Sequence, residues 1–293
     1  MVLEAGIAAS SLTWSRVQPR IAQFSRVCSY DRAGLAWSES ASTPRSMSAL
    51  IEELRTLLDR TGEPPPYVLV GHSFGGLIIR AFARAYPTEI AGLVFVDPLH
   101  PEEWCDPLPE QRQMLRGGIF LSKVGAGLAR LGVVRVCLTL LSGGSPAVPQ
   151  RFSRLLGRRA TALLERMVDE VQKLPAEALP AVQAHWSHPK AFRGMWQHLA
   201  AIPDCCAMVS NGADAFRDIP VVVFSAGARD PRWREADRRL ANASASGRHI
   251  MSPKGGHWVH LDEPQLVVDA IHDVIRRYRE AYSNGPTAMY RPE

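Results

Sequence analysis

Apolar positions follow two alternating rhythms along this chain. Short continuous apolar runs stand at 67–71 (YVLVG), 90–96 (IAGLVFV) and 220–224 (PVVVF), with shorter ones at 2–4, 26–30 and 249–252. Runs of this length, bounded by Gly, Pro or Asp, predict strands buried on both faces. Between them lie stretches with helical spacing at 14–24, 46–60, 74–86, 233–240 and 265–278. In the second of these, Met47, Leu50, Ile51, Leu54, Leu57 and Leu58 share one face. Strands alternating with helices predict an α/β fold built on a mostly parallel, doubly wound sheet.

The rhythm breaks at residues 99–218, where the pattern is helical throughout. Helices are expected at 109–115, 119–131, 135–141, 149–173 and 191–200, with a loop at 143–146 (GGSP). The domain reading is one core formed by 1–98 and 219–282, a helical cap inserted at 99–218, and a polar tail at 283–293. With 293 residues and 46% hydrophobic content, such a core can be substantial. Residues 117–142 are strongly apolar, but Lys123, Arg130 and Arg135 interrupt them. No uncharged run reaches the ~18 residues of a membrane span. A pocket-covering cap is therefore expected, with contact at a membrane surface as the lesser alternative.

Composition adds exclusions. The net charge of +5 comes almost entirely from arginine, with lysine only at Lys123, Lys173, Lys190 and Lys254. That excess is mild for the length and reads as a solvated surface, and no nucleic-acid motif accompanies it. The five cysteines, Cys28, Cys105, Cys137, Cys205 and Cys206, are scattered and lack a C-x-x-C, which argues against a disulfide framework or a zinc site. Reduced thiols point to a cytoplasmic location, and no signal peptide is visible at the N-terminus. His185 and His188 stand three apart without a nearby carboxylate, so they read as packing or surface residues rather than metal ligands.

The candidate chemistry begins where the strand at 67–71 meets the helix at 74–86, through Gly71-His72-Ser73-Phe74-Gly75. A strand turning straight into a helix strains the corner residue, and small neighbours two before and two after let the backbones pass. The corner serine is then pushed out at a helix N-terminus, whose dipole favours a developing anion.

Together with YDRAGLAWS at 30–38 and GGHWVHLDEP at 255–264, this motif resembles the α/β-hydrolase fold enzymes of the esterase, lipase and peptidase type. The likeness covers residues 1 to about 97 and 220 to about 278. It implies that the strand at 2–4 is the family's third and that the two preceding strands are absent, which would leave this strand without its usual neighbours on one side, as an exposed sheet edge. Ala5-Gly6-Ile7 stands where the family usually reads His-Gly-X, so the backbone N–H of Ile7 is implied as one oxyanion donor, and that of Phe74 as the other. Asp31 and Arg32 lie in the loop that braces the pocket in this family, and read equally well as a simple polar turn.

A serine hydroxyl needs a base, and the base needs a carboxylate. His257 follows the last strand on a glycine pair, and the order Ser, Asp, His fits the fold. His260 falls where the family places a second, non-catalytic histidine. Asp230, 27 residues before His257, has the family's commonest arrangement and is the preferred acid. Asp97, at the end of the preceding strand, is the alternative, where haloalkane-dehalogenase-like relatives carry theirs.

The resulting expectation is a serine hydrolase working through an acyl-enzyme, with Ser73, His257 and Asp230 as triad and no cofactor or metal. A carboxylic ester of small to medium hydrophobic size is the expected substrate. Amide, thioester or carbon–carbon hydrolysis and cofactor-free perhydrolysis use the same triad. A non-catalytic protein that only holds a ligand in the pocket is the alternative from another class.

Overall fold

The computed structural model describes residues 1–142, 171–212, 214 and 216–284. The strands are β1 (Val2–Glu4), β2 (Cys28–Ser29), β3 (Tyr67–His72), β4 (Ile90–Val96), β5 (Val221–Ala226) and β6 (Gly247–Ser252). They form one sheet in the order β2-β1-β3-β4-β5-β6, and every pairing is parallel. Side chains alternate between its faces, as the pleat requires. Leu69, Leu93, Phe95, Val221 and Val223 point into one buried cluster; Val68, Val70, Val94, Val96, Val222 and Phe224 point into the other.

Helices cover both faces. α1 (Gln18–Ile21) lies on one side of the sheet, and α2 (Met47–Thr61) and α3 (Phe74–Ala85) lie on the other. The capping logic of α2 is local. The Ser46 hydroxyl accepts from the Ala49 N–H at 3.2 Å, and Gly62 ends the helix in the left-handed region. Between β4 and β5 come α4 (Pro109–Arg130), α5 (Val133–Ser142), α6 (Leu179–Trp186) and α7 (Pro189–Ser210). The chain returns through α8 (Pro231–Ala241), α9 (Val259–Asp262) and α10 (Pro264–Asn284). Val267, Ile271 and Val274 of α10 close the second cluster.

Four expectations are corrected. The strand at 2–4 is not at an edge: β1 pairs with β2 on one side and β3 on the other. The residues at 14–24 do not make one helix, because Pro19 in the first turn of α1 has no N–H to donate to the Ser15 carbonyl four residues back. The two helices expected at 109–115 and 119–131 are one, α4, running through Gly117 and Gly118. α7 likewise runs to Ser210, through Pro203. Tertiary packing overrides these punctuators. A methyl group on Gly125 would stand 2.5 Å from the Phe192 ring, so α4 and α7 meet where only hydrogen fits. The loop at 143–146, nearly all of the helix expected at 149–173, and the tail beyond 284 lie outside the described residues.

Candidate active site

Parallel register gathers the carboxyl ends of the strands. Glu4 pairs with Gly71, His72 with Val96, Val96 with Phe224, and Ala226 with Ser252. The residues just beyond these ends therefore share one rim, where open parallel sheets bind their ligands.

Ser73 stands on that rim with φ 51° and ψ −117°, a strained conformation for a residue with a side chain. Its N–H donates to the Val96 carbonyl at 3.1 Å, and its own carbonyl accepts from Leu99 N–H at 3.0 Å. The glycines of the motif are needed for clearance. A Cβ on Gly75 would meet the Glu4 carbonyl oxygen at 2.5 Å, and one on Gly71 would meet the Gly75 carbonyl oxygen at 2.6 Å. Ser73 is 8% exposed, so its surroundings are largely closed.

His257 sits on the loop after β6, and that loop is fastened at several points. Gly227 N–H donates to the Gly255 carbonyl at 2.9 Å, and Gly256 N–H donates to Asp262 Oδ2 at 2.8 Å. His72, the residue before the serine, donates from Nε2 to the His257 carbonyl at 2.9 Å. The two imidazoles lie 4.7 Å apart, centre to centre. His257 Nδ1 donates to Asp97 Oδ2 at 2.6 Å. Its Nε2 has no hydrogen bond among the described residues, and neither has Ser73 Oγ.

Asp97, not Asp230, is thus the carboxylate against Nδ1. Asp97 is buried, with φ 44°, and its second oxygen is also held. Ala226 N–H donates to Oδ1 at 2.9 Å, and the Arg229 guanidinium stands 3.1 Å from it. Desolvation pushes this carboxyl upward, but the His257 hydrogen bond and the His257 and Arg229 charges outweigh it and hold the group below its ordinary range. Arg229 is braced in turn by the Pro98 carbonyl at 2.6 Å and by buried Asp237 at 2.9 Å. Asp230 is exposed and serves a different end. It is the N-cap of α8, accepting from Arg232 N–H at 2.7 Å, with Pro231 as the first helical residue.

His260 lies behind the imidazole, fully buried between Trp14 at 4.4 Å and His72 at 4.6 Å. Desolvation, then the neighbouring His257 and Lys173, push its pKa down to about 3. Burial likewise holds His72 well below its ordinary value, with His260 and His257 adding to the effect. His185 packs edge-on against Trp186 at 5.1 Å, and His188 caps α7.

Gly6, just beyond β1, lies beside the serine. A Cβ on Gly6 would stand 3.6 Å from Ser73 Cβ and 2.8 Å from His72 Nδ1. Phe74 opens α3, so its N–H belongs to the first turn, which has no acceptors of its own. Beneath this loop lies a group that the sequence reading missed. Glu4 is fully buried, with Tyr30 hydroxyl on Oε2 and Arg32 on Oε1. A lone carboxylate at the end of an apolar strand was the available signal.

A family model for the alpha/beta hydrolase fold matches residues 1–264. The chain belongs to the alpha/beta hydrolase fold family. This α/β-hydrolase is 23% identical over 293 residues to an AB hydrolase superfamily protein of Gibberella zeae, covering 95% of this chain and 86% of the relative. Among solved structures it is similar to a thermophilic esterase of Thermogutta terrifontis, with TM-score 0.62, 20% identity and coverage of 94% and 89%. It is also similar to a haloalkane dehalogenase variant from Bradyrhizobium elkanii, with TM-score 0.68, 17% identity and coverage of 96% and 90%. Both likenesses are of fold. No described helix is long and apolar enough to cross a membrane.

Proposed function

We propose that this α/β-hydrolase is a serine hydrolase that cleaves carboxylic esters through an acyl-enzyme, with Ser73, His257 and Asp97 as its triad. The observation that carries the reading is the 2.6 Å bond from His257 Nδ1 to buried Asp97. It fixes the tautomer, so Nε2 is left as the base for the strained serine.

In this mechanism Ser73 Oγ attacks the ester carbonyl while His257 Nε2 takes its proton. Asp97, already ionised by its neighbours, stabilises the imidazolium without taking the proton. The N–H groups of Phe74 and Ile7, with the N-terminal dipole of α3, receive the oxyanion. The imidazolium then protonates the departing alkoxide, and water repeats the sequence on the acyl-enzyme. An aspartate-nucleophile reaction, as dehalogenation requires, is disfavoured because the corner residue is a serine. The helices between β4 and β5 would wall the acyl pocket. Leu99, Trp104 and Leu199 pack against the same apolar cluster as Phe74, which favours a hydrophobic group there.

The test is labelling with a fluorophosphonate, then assay with p-nitrophenyl esters of increasing chain length. We expect covalent modification at Ser73, and a loss of turnover on the order of 10⁴-fold or more in Ser73→Ala. An unlabelled serine in the folded protein would return the pocket to ligand binding without catalysis.

A further inference from the structure

We propose that Arg32, anchored by Glu4, is a positioning residue that aims the Ile7 N–H at the oxyanion; the proposal rests on the serine-hydrolase reading above. Its bonds lead to this role. Beyond Glu4 Oε1, the guanidinium donates to the Ala5 carbonyl at 2.6 Å and to the Gly6 carbonyl. The Gly6 carbonyl and the Ile7 N–H belong to one planar trans peptide and point in opposite directions. A guanidinium that fixes the oxygen on one side therefore fixes the N–H on the other. The Ala9 N–H joins the same carbonyl at 3.2 Å, so the plane is held from two directions.

The loop needs such a restraint. Gly6 has no side chain to anchor it, and a larger residue would collide with His72. Ala5 has no polar side chain, so its carbonyl is the one group that Arg32 can hold there. A flexible glycine peptide beside the nucleophile would otherwise sample orientations that turn its N–H away from Ser73. A donor from a cation also polarises the peptide and strengthens the N–H opposite.

The anchor is built for permanence. Arg32 and Glu4 side chains are 2% and 1% exposed, and Tyr30 occupies the second carboxylate oxygen. The Arg32 guanidinium also lies 5.8 Å over the ring of Phe74, the residue supplying the other donor. One arginine thus touches both halves of the site that must receive charge. Lysine could not do the same, since it lacks the planar fork that reaches three oxygens in fixed directions.

The experiment compares wild type with Arg32→Lys and with the double variant Glu4→Leu/Arg32→Met, which leaves no lone charge buried. Arg80→Met/Arg84→Met/Asp214→Leu removes the cluster in which Arg80 and Arg84 of α3 share Asp214 at 2.6 and 2.8 Å, and serves as the structural control. Rates on a p-nitrophenyl ester and affinity for phenylboronic acid, which mimics the tetrahedral state, are measured on folded protein. We expect kcat to fall about 10²-fold with KM changed less than about threefold, and boronate affinity to weaken by a similar factor. The control variant should lower melting temperature and leave kcat and boronate affinity alone. If wild type turns over and the double variant matches it in kcat and boronate affinity, the positioning role is overturned and the serine-hydrolase reading stands. If both Arg32 variants fail to fold while the control folds, the pair is a purely structural anchor and the proposal is likewise overturned. If wild type neither turns over nor takes a fluorophosphonate, the underlying reading has failed and this inference falls with it.

Discussion

Two Asp-Pro corners lie beyond adjacent strands of this sheet, and they do opposite things. At Asp97-Pro98, directly after β4, the carboxylate is buried and held on both oxygens, by His257 on one and by Ala226 and Arg229 on the other. At Asp230-Pro231, four residues after β5, the carboxylate faces water and caps α8. The dipeptide is the same, but the chain beyond it takes a different course. Pro231 begins a helix whose first N–H groups need an acceptor, and Asp230 is spent on one of them. No helix starts at Pro98, so Asp97 is free to turn into the crevice, with its backbone at positive φ. A residue's local duty thus decides whether it is available for chemistry.

The largest expected effect breaks the comparison at its first corner. Asp97→Asn should lower kcat on the order of 10⁴-fold, since an amide favours the wrong imidazole tautomer. The check is steady-state kinetics on an ester that wild type turns over. A loss of that size in Asp230→Asn instead would reverse the two corners.

The second difference lies in what stands beyond the imidazole. The Asp97 corner backs onto His72 and His260, both buried and neutral, whereas Asp230 opens to solvent. Unfolded, His260 takes a proton as pH falls through about 6.5. Folded, it stays neutral down to about 3. The unfolded chain therefore binds the extra proton across that window, and stability falls as pH drops through it. From pH 6.5 to 5 this one ring should cost about 2 kcal/mol. Denaturant melts at the two pH values should show a shallower drop in His260→Gln than in wild type.

The smallest effect concerns the second corner. Asp230→Ala should cost about 1 kcal/mol of stability through the lost cap while kcat stays within about twofold of wild type. Urea melts and ester turnover on the same sample check both halves.

These corners also mark how far the sequence could be read. The strands at 67–72, 90–96 and 221–226 were legible because burial on both faces leaves unbroken apolar runs. The corner position of Ser73 and the loop position of His257 after the last strand were legible because local context, a strand–helix turn and a glycine pair, marks them. The partner of His257 was not, since the distance from one strand end to the next loop is set by sheet order rather than by spacing along the chain. One clue was there: Asp then Pro at the start of an amphipathic run is a cap signature, and it should have assigned Asp230 to α8. The unbroken α4 was hidden for a different reason. Its glycines looked like breakers, yet Gly118 and Gly125 are contact points against Leu199 and Phe192 of α7, while Gly117 and Gly127 stand in open space. Glu4 was passed over because strand position suggested burial and charge suggested exposure. The buried Arg32, with the Tyr30 hydroxyl on the other oxygen, reconciles the two.

The ends of the sheet bear on how the protein behaves when it is crowded. An open strand offers its unpaired backbone to any neighbour, and the hazard grows with its length. One edge here, β2, is two residues long, too short to template an added strand in register. The other, β6, is six residues long and carries Arg248, paired across to Asp273 of α10 at 2.8 Å. A foreign strand joining there would have to accommodate that charge. Among the described residues, self-association through the sheet therefore has one usable side, and a charged gatekeeper stands on it.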